Sequence, residues 1–367
     1  MRAEPLLVAA LRGEAVPWPA DADPGFERAV VEAATDHGVA VLLASAAAVT
    51  SWPQRLQSAL RDARRLAAAS EPIQRQDLIR LLAAFGQADV RCLPLKGAPL
   101  AYTHYPQPWL RSRFDTDLLI DPSDRGRADA VLRALGYVSS TQVSGTLVSH
   151  QLQYQRRDRY GLTDTVDLHW KVTNPHLFAD AMTFDELTAS SRALPQLGDH
   201  ARVPSNVHAL ILACVHRVAH HQNSDRLIWL YDIHLLAGAM TPGERAEFLA
   251  LARVKRLRSI CACGLGRAQS RFVTEHPARW LDHLQTGRHD EIEPTAAFLE
   301  QGLRRIDILL SDLRAVGGWT RRIRLLREHL FPPAAFIRAR YGSDTSLLFA
   351  YANRILGGVG KWFRAPS

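Results

Sequence analysis

The sequence predicts an α+β fold: a small mixed sheet backed by helices, with helical regions on both sides. Three observations carry this. Residues 1–87 and the stretch from Pro204 onward are rich in Ala, Leu and Arg with apolar residues at helical spacing, whereas residues 90–172 hold short alternating or continuously apolar runs. Turn chemistry punctuates those runs at Lys96-Gly97, Asp121-Pro122-Ser123 and Gly136. The composition, 47% hydrophobic and 22% charged over 367 residues, is that of a globular chain long enough for two or three packed units.

Residues 1–87 read as a helical lead-in, broken at Pro17, Pro19, Pro24 and Pro53 and ending in a helix over 77–85. The core, 88–175, opens with a strand at 90–95 that turns through Lys96-Gly97 into a helix over 98–105. Next, Arg111-Ser112-Arg113-Phe114-Asp115-Thr116-Asp117 leads into the apolar Leu118-Leu119-Ile120, a core strand. Asp121-Pro122-Ser123-Asp124 opens a helix that stops at Gly136, with Ser123 as its N-cap. Residues 137–139 and 152–155 read as strands. So do residues 165–172, with Asp167, His169 and Lys171 on one face and Val166, Leu168, Trp170 and Val172 on the other. Residues 176–330 form a helical domain with segments near 205–221, 225–239, 242–257, 258–272 and 294–310, and no repeat of fixed period. The basic and aromatic segment 331–367 sets Phe336, Ile337, Leu347, Leu348, Phe349, Ile355, Trp362 and Phe363 among Arg338, Arg340, Arg354, Lys361 and Arg364. It reads as a helix closing over the core in preference to a peripheral membrane contact, because Gly357, Gly358 and Gly360 weaken an interfacial helix.

Residues i and i+2 of a strand share a face about 6.8 Å apart, so Asp115 and Asp117 point into one cleft. Two carboxylates there need protonation, a basic partner or a divalent cation. Asp167 supplies a third carboxylate, fit to complete a metal cage or to take the proton of an attacking hydroxyl. A strand that turns through Gly97 into a helix exposes backbone N–H groups where an anion can sit, and Lys96 adds positive charge. Arg111 and Arg113 bind phosphate or pair with the adjacent carboxylates.

These residues resemble the minimal nucleotidyltransferases with a DNA polymerase β-like core, and within them the uncharacterised bacterial nucleotidyltransferases. The superfamily's Gly-Ser turn, Asp-x-Asp and later single acid have counterparts in Leu95-Lys96-Gly97-Ala98, Phe114-Asp115-Thr116-Asp117-Leu118 and Val166-Asp167-Leu168. The turn departs from the superfamily form, since Lys96-Gly97 replaces Gly-Ser and the gap to Asp115 is long. A Lys-Gly turn, an Arg-rich lead and a Val-Asp-Leu-His-Trp strand are features of the uncharacterised group. The resemblance implies Mg²⁺ (or Mn²⁺) on Asp115, Asp117 and Asp167, and the phosphates of a nucleoside triphosphate on Lys96, Gly97, Ala98 and Arg113. It further implies transfer of a nucleoside monophosphate to a hydroxyl of an acceptor, which is a small molecule, peptide, protein or RNA. Two other readings stand beside it: a non-catalytic nucleotide-binding or scaffold protein, which the altered turn favours, and a γ-phosphotransferase using the same carboxylates.

A second constellation lies in the helical domain. His216 and His220 are four apart, with His221 adjacent and Arg226, Trp229, Asp232 and His234 following. A His-x₃-His pair can hold zinc, but Arg217 follows His216 where a metalloprotease has glutamate. The expectation is that these histidines, with His169, Arg226 and Asp232, form an acceptor site beside the cleft, or else that a His–Asp cluster ties two helices together. The net charge of +8 permits attraction to nucleotides, acidic polymers or anionic membranes, with arginines scattered along helices and no domain-sized basic block expected. Cys92, Cys214, Cys261 and Cys263 lack disulfide-framework or zinc spacing and read as reduced thiols. No apolar run approaches the ~20 residues of a membrane span. Together these predict a cytoplasmic protein.

Overall fold

The computed structural model describes residues 2–140, 147–157, 161–273, 277–285, 293–300, 302–342 and 345–363. Helices α1 (Glu4–Leu11), α2 (Pro24–Asp36), α3 (Ala40–Leu43) and α4 (Gln54–Gln87) precede the sheet region. That region comprises β1 (Cys92–Leu95), α5 (Gly97–Thr103), β2 (Thr116–Ile120), α6 (Arg125–Ala134), β3 (Val138–Ser139), β4 (Gln151–Arg157) and β5 (Thr163–His169). Short helices α7 (His176–Ala179) and α8 (Phe184–Ala189) and a small ribbon of β6 (Arg192–Ala193) and β7 (Arg202–Val203) follow. The chain continues through α9 (Asn206–Ala219), α10 (Leu227–Gly238), α11 (Pro242–Val254), α12 (Arg258–Arg271) and α13 (Pro277–Gln285). It closes with α14 (Arg305–Ala315), α15 (Trp319–Leu330), α16 (Ala334–Tyr341) and α17 (Leu347–Phe363).

The five-stranded sheet has the order β1-β2-β5-β4-β3, with β2 and β5 parallel and the other neighbours antiparallel. Alternation decides its two faces. Leu118, Ile120, Val166, Leu168 and Trp170 pack with α6 and the C-terminal half of α4, whereas Leu93, Leu95 and Leu119 face the core built by α1–α3 and α9–α13. Val172, expected beside Trp170, joins that opposite core instead, because strand pairing ends at His169.

Helix α4 links the two cores. Leu56 and Leu60 belong to one and Leu78, Leu81, Leu82 and Phe85 to the other, while its Ala- and Arg-rich middle carries Pro72 and spans the space between. A helix of 34 residues is about 51 Å long at 1.5 Å per residue, enough to bridge both.

Two local expectations change. Ahead of α6, Asp121 caps the 3₁₀ turn Pro122–Asp124, and Ser123 donates to it through both N–H (2.8 Å) and Oγ, while α6 itself has no side-chain cap. Residues 294–310 are not one helix: a 3₁₀ turn over Pro294–Leu299 gives way to an irregular link with Gly302 at φ 82°, and α14 begins afresh at Arg305. Left-handed backbone at glycine ends a helix at little steric cost.

The last helices dock on the chain ahead of β4 and after β5. Glu328 accepts from the N–H groups of Leu147 (2.8 Å) and Val148 (3.2 Å), His176 Nε2 donates to the Leu147 carbonyl (2.7 Å), and Asp312 accepts from the His176 N–H (2.7 Å). Burial pushes the Asp312 carboxyl up to about 6, against the pull of that N–H. Because the folded value exceeds the unfolded one, burying the charged form is costly above about pH 6, by roughly 3 kcal/mol, and the cost vanishes below about pH 4. Asp312→Asn keeps a carbonyl acceptor and removes the charge. Its thermal midpoint should therefore lie above that of the unaltered chain at pH 8, with the gap closing by pH 4; a lower midpoint at pH 8 would contradict this account.

Candidate functional site

The register brings the predicted acids together. Asp117 and Asp167 are Cα partners across the parallel β2–β5 pair, so their side chains stand side by side on one face, and His169 lies two residues beyond Asp167 on the same face. Oxygen or nitrogen atoms of Asp117, Asp167 and His169 lie within 4.8 Å of one another, a spacing that suits a single cation. Asp115 sits one residue before β2 and, together with Asp117, lines a cavity of about 700 Å³.

Asp117 carries the densest contacts. Its Oδ1 accepts from Lys96 Nζ (2.5 Å) and from His169 Nε2 (2.8 Å). Burial alone would raise its pKa, but the Lys96 ammonium and His169 outweigh burial and hold the carboxyl far below the usual range. Asp115 and Asp167 shift the other way. Burial raises both, and neighbouring carboxylates add to it: Asp117 and Asp167 beside Asp115, and Asp117 beside Asp167. Asp167 also accepts from Gln153 Nε2 (3.1 Å), its register partner on β4. The trio is thus one anion that Lys96 has neutralised and two whose charge is unfavourable, and a divalent cation would relieve the latter.

Lys96 reaches Asp117 because Leu95 pairs with Asp117 at the end of β1. The turn differs from the expected one in its physical basis. The residue with positive φ is Lys96 itself (φ 57°, ψ −129°), a strained conformation for a side-chain-bearing residue, costing roughly 1–3 kcal/mol. Gly97 is needed for space: a Cβ there would come within 3.0–3.1 Å of the Arg111 guanidinium. Ala98 is buried in the second core.

Arg111 is fixed from a distant element. Its Nε and Nη2 grip both carboxylate oxygens of Asp232 on α10 (2.8 Å each for the shorter pair), Nη1 donates to the Ser112 carbonyl (2.7 Å), and Tyr105 Oη donates to the same Asp232 (2.7 Å). Burial works against the Arg111 charge, but Asp232 more than compensates and raises its pKa. Asp232 therefore braces the loop that leads into β2 and bonds to Arg111 and Tyr105, not to the histidines. Arg113 donates to Tyr102 Oη (3.2 Å) and lines the cavity, as does Arg226, whose Nε donates to the Asp36 carbonyl (2.7 Å).

The histidines form a wall. His216 and His221 line the cavity; the His216 ring lies 5.3 Å from that of His220 and 4.7 Å from that of His221, which stacks on Trp229 at 3.9 Å. Burial, then the charge of Lys96, lowers all three pKa values, so the rings are neutral at pH 7. His216 Nδ1 and His220 Nε2 have no hydrogen-bond partner among the described residues. Among the described residues these three form no metal-ligand group, unlike Asp117, Asp167 and His169. Sequence reasoning missed Gln153, whose alternation in β4 opposite an acid was the available signal. It also missed Arg192 and the middle of α4, including Glu71, as walls of the cavity.

A family model described as an uncharacterised nucleotidyltransferase matches residues 27–273, about two thirds of the chain. No curated protein matches it. The matched span contains every residue of the carboxylate site.

Loss of the Arg111 brace should be severe. Asp232→Ala leaves a buried guanidinium unpaired and should cost about 3–5 kcal/mol in urea-unfolding free energy; a change under about 1 kcal/mol would show that the pair does not hold the loop.

Proposed function

The chain belongs to the uncharacterised nucleotidyltransferase family, and we propose that it transfers a nucleoside monophosphate from a triphosphate to a hydroxyl of an acceptor, releasing pyrophosphate. The observation that carries this is the pairing of Asp117 with Asp167 across parallel strands, with Asp115 in the cavity lining and Lys96 alongside.

Asp115, Asp117 and Asp167, with His169 as a further donor, are the residues that would hold Mg²⁺ or Mn²⁺. The fit rests on the mutual spacing of Asp117, Asp167 and His169 and on the raised pKa values of Asp115 and Asp167. When bound, the metal supplies neutralisation of charge on the triphosphate and on the attacking and leaving oxygens. Lys96 is the mobile cation of the site: its flexible stem can pass from Asp117 to a phosphate oxygen while its backbone stays fixed. Arg113, at the cavity wall, adds a second phosphate contact. The α5 N-terminus beside Gly97 offers backbone N–H groups, and Arg111 holds the loop geometry without contacting substrate. Asp167, with its pKa raised and one oxygen held by Gln153, accepts the proton of the acceptor hydroxyl. The neutral edges of His216 and His221, with Arg226, face the same cavity and orient the acceptor.

The test is a divalent-metal-dependent assay with nucleoside triphosphates labelled at the α-phosphate, using host-cell extract as the acceptor source. Label should move to an acceptor with stoichiometric pyrophosphate, and Asp117→Asn and Asp167→Asn should each lower the rate by at least about 10³-fold with unchanged circular dichroism. Movement of γ-label with release of nucleoside diphosphate would replace this reading with γ-phosphotransfer. Nucleotide binding without turnover would replace it with the non-catalytic one.

A further inference from the structure

The charge of this chain is concentrated, contrary to the scattered arrangement expected from the sequence. Residues 319–367 hold nine Lys or Arg and two Asp or Glu, so they carry +7 of the chain's +8 and leave the remainder nearly neutral. The same residues show solvent an apolar surface. On α15, Trp319 (75% exposed), Ile323 and Leu326 recur at i, i+4 and i+7, one stripe of a helix, while Leu325 on the other side is buried with Leu147, Leu309 and Val316. On α17, Phe349 (66%), Leu356 (75%) and Phe363 recur at seven-residue intervals beside Leu348 (83%), while Ala350 is buried and Trp362 packs inward.

The closing helix expected over the core is thus only half correct. It docks through one side and leaves its larger apolar residues in water. Gly357, Gly358 and Gly360 do not interrupt it, since α17 stays helical through Phe363. The helices are tied to each other: Tyr351 Oη donates to the Pro332 carbonyl (2.6 Å), Phe331 meets the Tyr351 ring at 5.7 Å, and Arg354 lies over the Phe336 ring at 5.5 Å. On α15, Arg322 lies 5.4 Å from the Trp319 ring. Arg364 lies outside the described residues and enters only through its charge.

We propose that α15 and α17 form a docking surface for an anionic lipid bilayer, seating the protein peripherally with Trp319, Ile323, Phe349 and Leu356 in the headgroup and upper acyl region and the arginines on lipid phosphates. Charge complementarity and the pairing of arginine with aliphatic side chains select this partner. Nucleic acid phosphates would satisfy the arginines but leave Ile323, Leu326, Leu348 and Leu356 in water. A second copy would bring two segments of +7 together. A bilayer surface offers negative headgroups and hydrocarbon within one helix diameter, and tryptophan favours that boundary. The surface is independent of the catalytic reading and lies beyond the residues the family model matches.

The test is co-sedimentation of the full chain with vesicles of phosphatidylcholine alone or with one-third phosphatidylglycerol, beside Phe349→Ser/Leu356→Ser and Trp319→Ser/Ile323→Ser, all at exposed positions. Partition to anionic vesicles should exceed that to neutral ones by at least about tenfold, fall with salt, and drop about tenfold in each double variant. No binding to anionic vesicles, or unchanged partition in both variants, would overturn the proposal. A dimer in size-exclusion chromatography that Phe349→Ser/Leu356→Ser makes monomeric would overturn it in favour of self-association. Nucleic-acid retention without vesicle binding would overturn it in favour of a nucleic acid.

Discussion

The site is organised by the lateral pairing of Asp117 and Asp167 on adjacent parallel strands, with both carboxylates largely withdrawn from water. Two such charges a strand spacing apart cannot both be comfortable without an answering positive charge. Lys96 supplies it for Asp117 by adopting a backbone conformation that non-glycine residues avoid, and the surroundings fix that conformation. Gly97 leaves room for the Arg111 guanidinium, which is locked in turn by Asp232 and the Ser112 carbonyl. A strained turn, a buried ion pair and a core strand form one connected arrangement. Its members come from the turn after β1, the loop before β2, β2 itself, β5 and α10.

The cavity follows from how α4 joins the cores. A bridging helix anchored at both ends leaves its middle facing an opening, and α2, α9 and α10 complete the walls. Residues of opposite character meet there: acids and cations at the sheet end, neutral histidines and Trp229 along the helical side. Keeping His216, His220 and His221 neutral beside Lys96 avoids placing three more positive charges against the one that answers Asp117.

The elements of the site were legible in the sequence because strand periodicity is local. Asp167 and His169 share a face by spacing alone and Trp170 proved to be core by the same rule, whereas Asp115, read as part of the strand, precedes β2 and lies outside the group that Asp117, Asp167 and His169 form. Periodicity does not choose partners. That Asp117 stands opposite Asp167 depends on a parallel crossover, and that Asp232 answers Arg111 depends on the loop before β2 meeting α10 across 121 residues. The glycine of the turn was visible, but its purpose was not, since only packing reveals that space for Arg111 matters more than φ. Likewise an amphipathic stripe reads the same whether it meets a core or water, so the exposure of α15 and α17 could not be foreseen. The break between the 3₁₀ turn and α14 was missed because Gly302 lies within an otherwise helical composition.

The most direct measurement is anomalous diffraction from crystals of the chain grown with Mn²⁺ and a triphosphate whose α–β bridge cannot be cleaved. The account predicts manganese density within bonding distance of Asp117 and Asp167, with Lys96 Nζ moved from Asp117 to a phosphate oxygen. Nucleotide bound elsewhere, or Lys96 still on Asp117 with no metal between the two strands, would contradict it.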